Sequence, residues 1–190
     1  MAVPVGKPNV QNLLIGAGVI LLVIAGFFYF RSRDVAEPTT LSPEEIIVQE
    51  EGAVKRTGEL VEALSEEEVK VLKQETESVL SSAGETTALK TVAEIRASGQ
   101  AKRAFSDGKF YFKLDAEGLI LPEKGYFYEG WLKKGDDYLS VGRLEVGEGG
   151  QGSLFYTVSS DKSDYAAVLV TLEPENGDPS PASTILEGDF

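Results

Sequence analysis

Two acidic loops carry the side chains that a divalent cation would need: Asp136 with Asp137, and Asp161 with Asp164. Calcium takes about six to eight oxygens from several converging groups. Neither loop has the D-x-[DN]-x-[DN]-G spacing of a calcium loop, so both read as solvated turns. Gly147 to Gly152 is glycine-rich, but it lacks the lysine and the following helix of a phosphate loop. It reads as a hairpin tip. A Ser–Lys pair would need S-x-x-K at a helix start beside a pocket, and no such placement stands out. Two carboxylates can hydrolyse a glycoside only at a fixed separation, and nothing selects a pair from the 31 acidic residues. The chain has no Cys and no His. Thiol catalysis, disulfides, Cys/His zinc sites, histidine-ligated haem and Ser-His-Asp triads are therefore excluded within it. The expectation is a non-enzyme: no catalytic, cofactor-binding or metal residues are assigned, and no cofactor.

The elements that would position any site change character along the chain. From Thr87 onward, short runs rich in aromatic and β-branched residues follow one another. They are Ala88–Ile95, Lys109–Leu114, Tyr126–Leu132, Leu139–Leu144, Ser153–Val158 and Ala166–Leu172. Turn chemistry separates them, as in Ser106-Asp107-Gly108 and Glu173-Pro174-Glu175-Asn176-Gly177. Such pieces predict an antiparallel β-sandwich or barrel, with a sandwich preferred. Trp131 within its run is expected to be a core anchor rather than a ligand-stacking surface. Pro179 and Pro181 are expected to precede a final edge strand near Thr184 to Leu186.

Residues 31–87 read as an acidic, partly helical stalk. Ser42-Pro43-Glu44-Glu45 has the form of a capped helix start, and Gly52 would end that helix. A second helical stretch from about Gly58 to Leu80 carries a narrow apolar stripe. Ser65-Glu66-Glu67-Glu68 offers a capping box that would restart it, and Ser81 to Gly84 would stop it. A solvated stalk is the preferred reading, with a short coiled coil and a helix docked on the domain as alternatives.

Ahead of the stalk, residues 13–30 form an uncharged apolar run of 18 residues. As a helix it would reach ~27 Å, close to the ~30 Å of a bilayer core. Its end, Phe27 to Phe30 followed by Arg31 and Arg33, suits a lipid–water interface. A cleaved signal would have a shorter core and a small-residue exit site, and a helix of a soluble core would show a polar face. The expected organisation is a tail over 1–12, a single transmembrane helix over 13–30, the stalk over 31–87 and the β-domain over 88–190. Lys7 with the α-amino group precedes the run and Arg31 with Arg33 follows it. The cation count is thus nearly balanced, slightly favouring a cytoplasmic C-terminal side.

The net charge is −13, and all 31 acidic residues lie after Arg33. Such a field repels nucleic acid, so none is expected as a partner.

The string Tyr128-Glu129-Gly130-Trp131-Leu132, then Ser140 to Leu144, then Val170-Thr171-Leu172-Glu173-Pro174, Gly177, Pro179, Pro181 and Gly188 resembles the C-terminal domain of anti-sigma-K factors, the RskA family. The resemblance covers about Val92 to Gly188. It implies a β-sandwich held outside the plasma membrane by one transmembrane helix. Only 12 residues precede the apolar run, so the family's N-terminal sigma-binding domain is expected to be missing from this sequence. The expected function is therefore a single-pass, non-catalytic interaction or sensing module. Its partners would be the bilayer, through 13–30, and an unknown protein. An envelope-associated protein that self-associates through its stalk is the alternative.

Overall fold

Strands with both faces covered cannot show a simple apolar/polar alternation, and neighbouring strands of this chain are of that kind. In the computed structural model, which describes residues 43–49, 52–57 and 60–190, Phe110, Phe112 and Leu114 of one strand are fully buried. Tyr111 between them is buried too, on the opposite face. Leu154, Tyr156 and Val158 of its neighbour face the same core, while Phe155 packs on the other side.

Among the described residues, eleven strands and one helix follow in order. They are β1 (Glu44–Gln49), β2 (Gly52–Thr57), β3 (Leu60–Ala63), α1 (Glu66–Ala83), β4 (Glu85–Thr91), β5 (Ser98–Ser106) and β6 (Lys109–Glu117). Then come β7 (Tyr126–Lys134), β8 (Asp137–Leu144), β9 (Gly152–Val158), β10 (Ala167–Pro174) and β11 (Ser183–Asp189). All belong to one sheet, in the order β3-β2-β1-β9-β6-β5-β4-β11-β10-β7-β8, and every pairing is antiparallel.

The fold is thus mainly β, but the two-sheet sandwich expected from the sequence is one continuous sheet. A Cβ added to Gly130 of β7 would lie 3.1 Å from Leu154 of β9, six strands away in the sheet. The sheet therefore folds over and closes its two halves on a shared core. The corner is at β4 and β11, whose ladder is only Leu186↔Thr91 and Glu187↔Lys90. Register shifts at Val170/Thr171 and Gly130/Trp131 add local twist nearby.

The helix covers the outer face of the first half. Its N-terminus is the capping box read from the sequence. The Glu68 backbone N–H donates to Ser65 Oγ, and the Ser65 N–H donates to Glu68 Oε2 at 2.8 Å. Leu72 packs with Ile46, Val48 and Phe155, and Leu80 with Ala104 and Tyr111. Between them Thr76 is fully buried, and its hydroxyl has no hydrogen-bond partner. An unpaired buried hydroxyl costs about 1–3 kcal/mol. Thr76→Val keeps the shape and removes the orphan, so it should raise the unfolding free energy by about 1 kcal/mol in urea titrations.

Several readings change. Glu44 to Gln49 is a strand, not a capped helix, because Glu44 pairs with Lys55 at 3.0 Å and Glu45 with Arg56 at 3.4 Å across the β1–β2 ladder. The helix begins at Glu66 rather than near Gly58. Where a solvated stalk was preferred, Glu44–Gln49, Gly52–Thr57 and Leu60–Ala63 belong to the sheet and α1 is docked on it. The β11 strand is interior, between β4 and β10, not an edge. Gly147 to Gly152 is no hairpin tip, since β8 and β9 are not ladder neighbours. The tail over 1–12, the apolar run over 13–30 and residues 31–42 lie outside the described residues. Among the described residues no helix is long and apolar enough to cross a membrane.

Candidate functional site

Several of the residues that carried the family resemblance meet on the outer face of β7 and β10. Strand alternation sends Tyr128 and Leu132 into the shared core and leaves Glu129 and Trp131 on the other face. Thr171 and Glu173 of β10 lie on that same outer face. Trp131 Nε1 donates to Thr171 Oγ1 at 2.8 Å, and the Thr171 hydroxyl donates to Glu173 Oε1. The Ala182 backbone N–H donates to that same oxygen at 2.8 Å. All three side chains are buried. Trp131 is thus an anchor with its N–H satisfied, and Glu173 staples the 175–182 loop back onto the sheet. The arrangement holds structure and leaves no reactive group open.

Glu129 sits beside this chain of bonds, directly opposite Thr171 on one side and Arg143 on the other. It accepts from the Ser140 hydroxyl. Burial pushes its carboxyl above the ordinary value of 4.5, and the nearby Glu173 pushes the same way, while Ser140 and Arg143 oppose them. Arg143 itself lies over the Phe127 ring at 3.9 Å and reaches Glu175 at 3.5 Å. The folded state therefore keeps the Glu129 proton to a higher pH than the unfolded state does. Between 4.5 and the raised folded value the folded state binds more protons, so this group's contribution to stability falls as pH rises through that window. Glu129→Gln should remove that fall. Urea unfolding of both proteins across the pH series would show it, and identical slopes would refute it.

The structure brings the two acidic loops together, which the sequence did not show. The Tyr165 hydroxyl donates to Asp137 Oδ2 at 2.6 Å, and Lys134 pairs with Asp164. The Asp137 bond, with some burial, pushes the Tyr165 hydroxyl up to about 12. The Lys134 bond holds the Asp164 carboxyl below its ordinary value. Asp161 is held low by Ser163 instead. A lysine and a tyrosine therefore bridge these loops. Among the described residues no three acidic side chains converge as a metal ion would require.

Two concave surfaces among the described residues bear on function. One, of about 590 Å³, lies at the ends of β5, β6 and β9. Its hydroxyls are spent on its own carboxylates, Ser98 Oγ on Glu117 at 3.0 Å and Ser153 Oγ on Asp115 at 2.7 Å. The other is a groove of about 360 Å³ between the β1–β3 ribbon and α1. Ile46, Leu64, Val71 and Leu72 give it an apolar floor, and Glu62, Glu67, Glu68 and Glu75 stand around it with Lys55 and Lys109. Glu75 is tied down: it accepts from the Tyr111 hydroxyl at 2.6 Å and from Lys109 at 3.2 Å, and the tyrosine bond above all holds its carboxyl low. Glu68 is held low by Ser65. Reading 44–49 as helix hid this groove. Its signal was Ile46-Ile47-Val48, a β-branched run that favours strand.

The sequence model of one family, described as anti-sigma-K factor rskA, C-terminal, matches residues 13–185. No curated protein and no solved structure matches the chain.

Proposed function

We propose, because this chain belongs to the anti-sigma-K factor rskA C-terminal family, that it is a membrane-anchored regulatory module whose β-domain binds another protein outside the cytoplasm and performs no chemistry itself. One observation carries the reading. The family match takes in the apolar run and continues from there into β11. A run of that length and character suits a bilayer span. The β-domain adds support: its buried polar groups at Trp131, Thr171 and Glu173 are spent on one another, while its apolar groove lies open. The near-balanced cations around the run leave orientation to the family architecture.

The test uses the lack of cysteine. Ser180 is exposed in the loop before β11. In intact cells carrying Ser180→Cys, a membrane-impermeant maleimide should label the protein, with the envelope shown to admit the reagent. Labelling only after lysis would put the β-domain in the cytoplasm and sink the orientation. Site-specific crosslinking in the same membranes should then join the β-domain to one protein reproducibly. Capture of lipid and bulk surface proteins alone would remove the interaction role.

A further inference from the structure

We propose that the groove between the β1–β3 ribbon and α1 takes an extended segment of a partner protein in which apolar side chains alternate with lysine or arginine. The inference rests on the reading of the domain as a protein-binding module and names its surface and the chemistry of its partner. Three observations meet there. The floor is apolar, and Val71 stays 56% exposed at its edge. Around it, Glu62 and Glu67 make no ion pair or hydrogen bond among the described residues. The two lysines do not oppose an incoming cation, because Lys55 is paired with Glu44 at 3.0 Å and Lys109 with Glu75 at 3.2 Å. Charge complementarity therefore selects a basic partner.

The third observation selects its conformation. Strand β3 ends the sheet, and among the described residues no strand pairs with its outer edge. Its residues Glu62 and Ala63 also line the groove. A segment adding to that edge gains backbone hydrogen bonds, and its period of two sends alternate side chains toward the groove. The lysine or arginine side chains would face the groove, their aliphatic stems on Val71 and Leu64 and their cations at Glu62 and Glu67, while the apolar side chains between them lie on the other face of the sheet.

The experiment uses the full chain in nanodiscs of zwitterionic lipid, with empty nanodiscs as blank. Fluorescein-labelled peptides of four Lys-Val repeats and four Glu-Val repeats are titrated by anisotropy. The Lys-Val peptide should bind and the Glu-Val peptide should not. The double variant Glu62→Lys/Glu67→Lys should weaken binding by about tenfold or more. Val71→Ser, which leaves the charge unchanged, should weaken it by about threefold or more. The control Glu94→Lys/Glu148→Lys has the same net charge as the groove double variant but changes exposed residues outside the groove. It should shift binding by no more than about twofold. Circular dichroism confirms folding of each variant.

Equal weakening in the control would reduce the effect to net charge and overturn the proposal. So would absence of binding, or binding that Val71→Ser leaves intact. A dimer that the peptide disperses would make a second copy the occupant and overturn it too. If crosslinking captures a partner that the groove variants still hold, the groove is wrong and the interaction reading stands. If wild type captures none, that reading itself fails.

Discussion

Trp131→Ala should lower the unfolding free energy by about 3–5 kcal/mol, the cost of emptying a buried large aromatic site. The side chain is 3% exposed, and its N–H is the first link of the bonds through Thr171 to Glu173 and Ala182. Loss of the ring leaves a cavity on the outer face of β7, and loss of the N–H leaves Thr171 short of a donor. Trp131→Phe separates the two effects. It retains most of the bulk and removes only the hydrogen bond, so it should cost about 1–2 kcal/mol. Trp131 is the only tryptophan, so circular dichroism, not fluorescence, must follow the urea transitions. A cost for Trp131→Ala below about 1 kcal/mol would show that the face repacks without its anchor.

The second large effect is expected from a backbone position. Gly150 has φ +72°, and an added Cβ would lie 2.5 Å from the Leu119 carbonyl oxygen. That carbonyl cannot rotate aside as a side chain would. The Leu119 N–H also donates to the Gly150 oxygen at 3.0 Å, so a shift would strain this bond as well. Left-handed backbone alone costs a non-glycine residue about 1–2 kcal/mol. With the clash added, Gly150→Ala should destabilise by about 3 kcal/mol. Gly108 supplies the control, with φ +77° and nothing within 4 Å of an added Cβ. Gly108→Ala should cost only about 1 kcal/mol. Equal losses at the two sites would mean that the Leu119 segment yields freely.

The strands legible in the sequence are those rich in aromatic or β-branched residues. Tyr126–Leu132 and Ala166–Leu172 fall inside β7 and β10 or within a residue of them. The Ser65 capping box was equally legible, because its chemistry is local. By contrast β5, SGQAKRAFS, has one aromatic residue and no β-branched residue. It is a strand because its position demands small residues: Ala101 is fully buried, and a Cβ on Gly99 would lie 2.8 Å from the Asp115 oxygen. No local propensity encodes that close approach. At Glu44-Glu45 the local signal pointed the wrong way. The capping pattern was present, but cross-strand partners Lys55 and Arg56 and the neighbouring β9 overrode it. The joining of the two halves into one sheet depends on two residue pairs at β4 and β11, nearly a hundred positions apart in the chain. The groove was illegible because one of its walls is the β1–β3 ribbon, which the sequence placed in a partly helical stalk.

The position of β1 has a mechanical consequence. The strand enters the sheet at Glu44, where its N–H donates to Ser159 Oγ at 2.7 Å and its carbonyl accepts from the Ser159 N–H at 2.9 Å. On one side it is laddered to β2 and on the other to β9, which is itself laddered to β6. Tension on the chain ahead of Glu44 is therefore delivered first to the Ser159 clasp, and then to a strand held along both sides. Load along β1 must shear two ladders together, and its β9 neighbour lies in the core. Force on the chain ahead of Glu44 would reach an interior strand of the sheet before either of its edge strands, making the domain a stiff termination for whatever pulls on it.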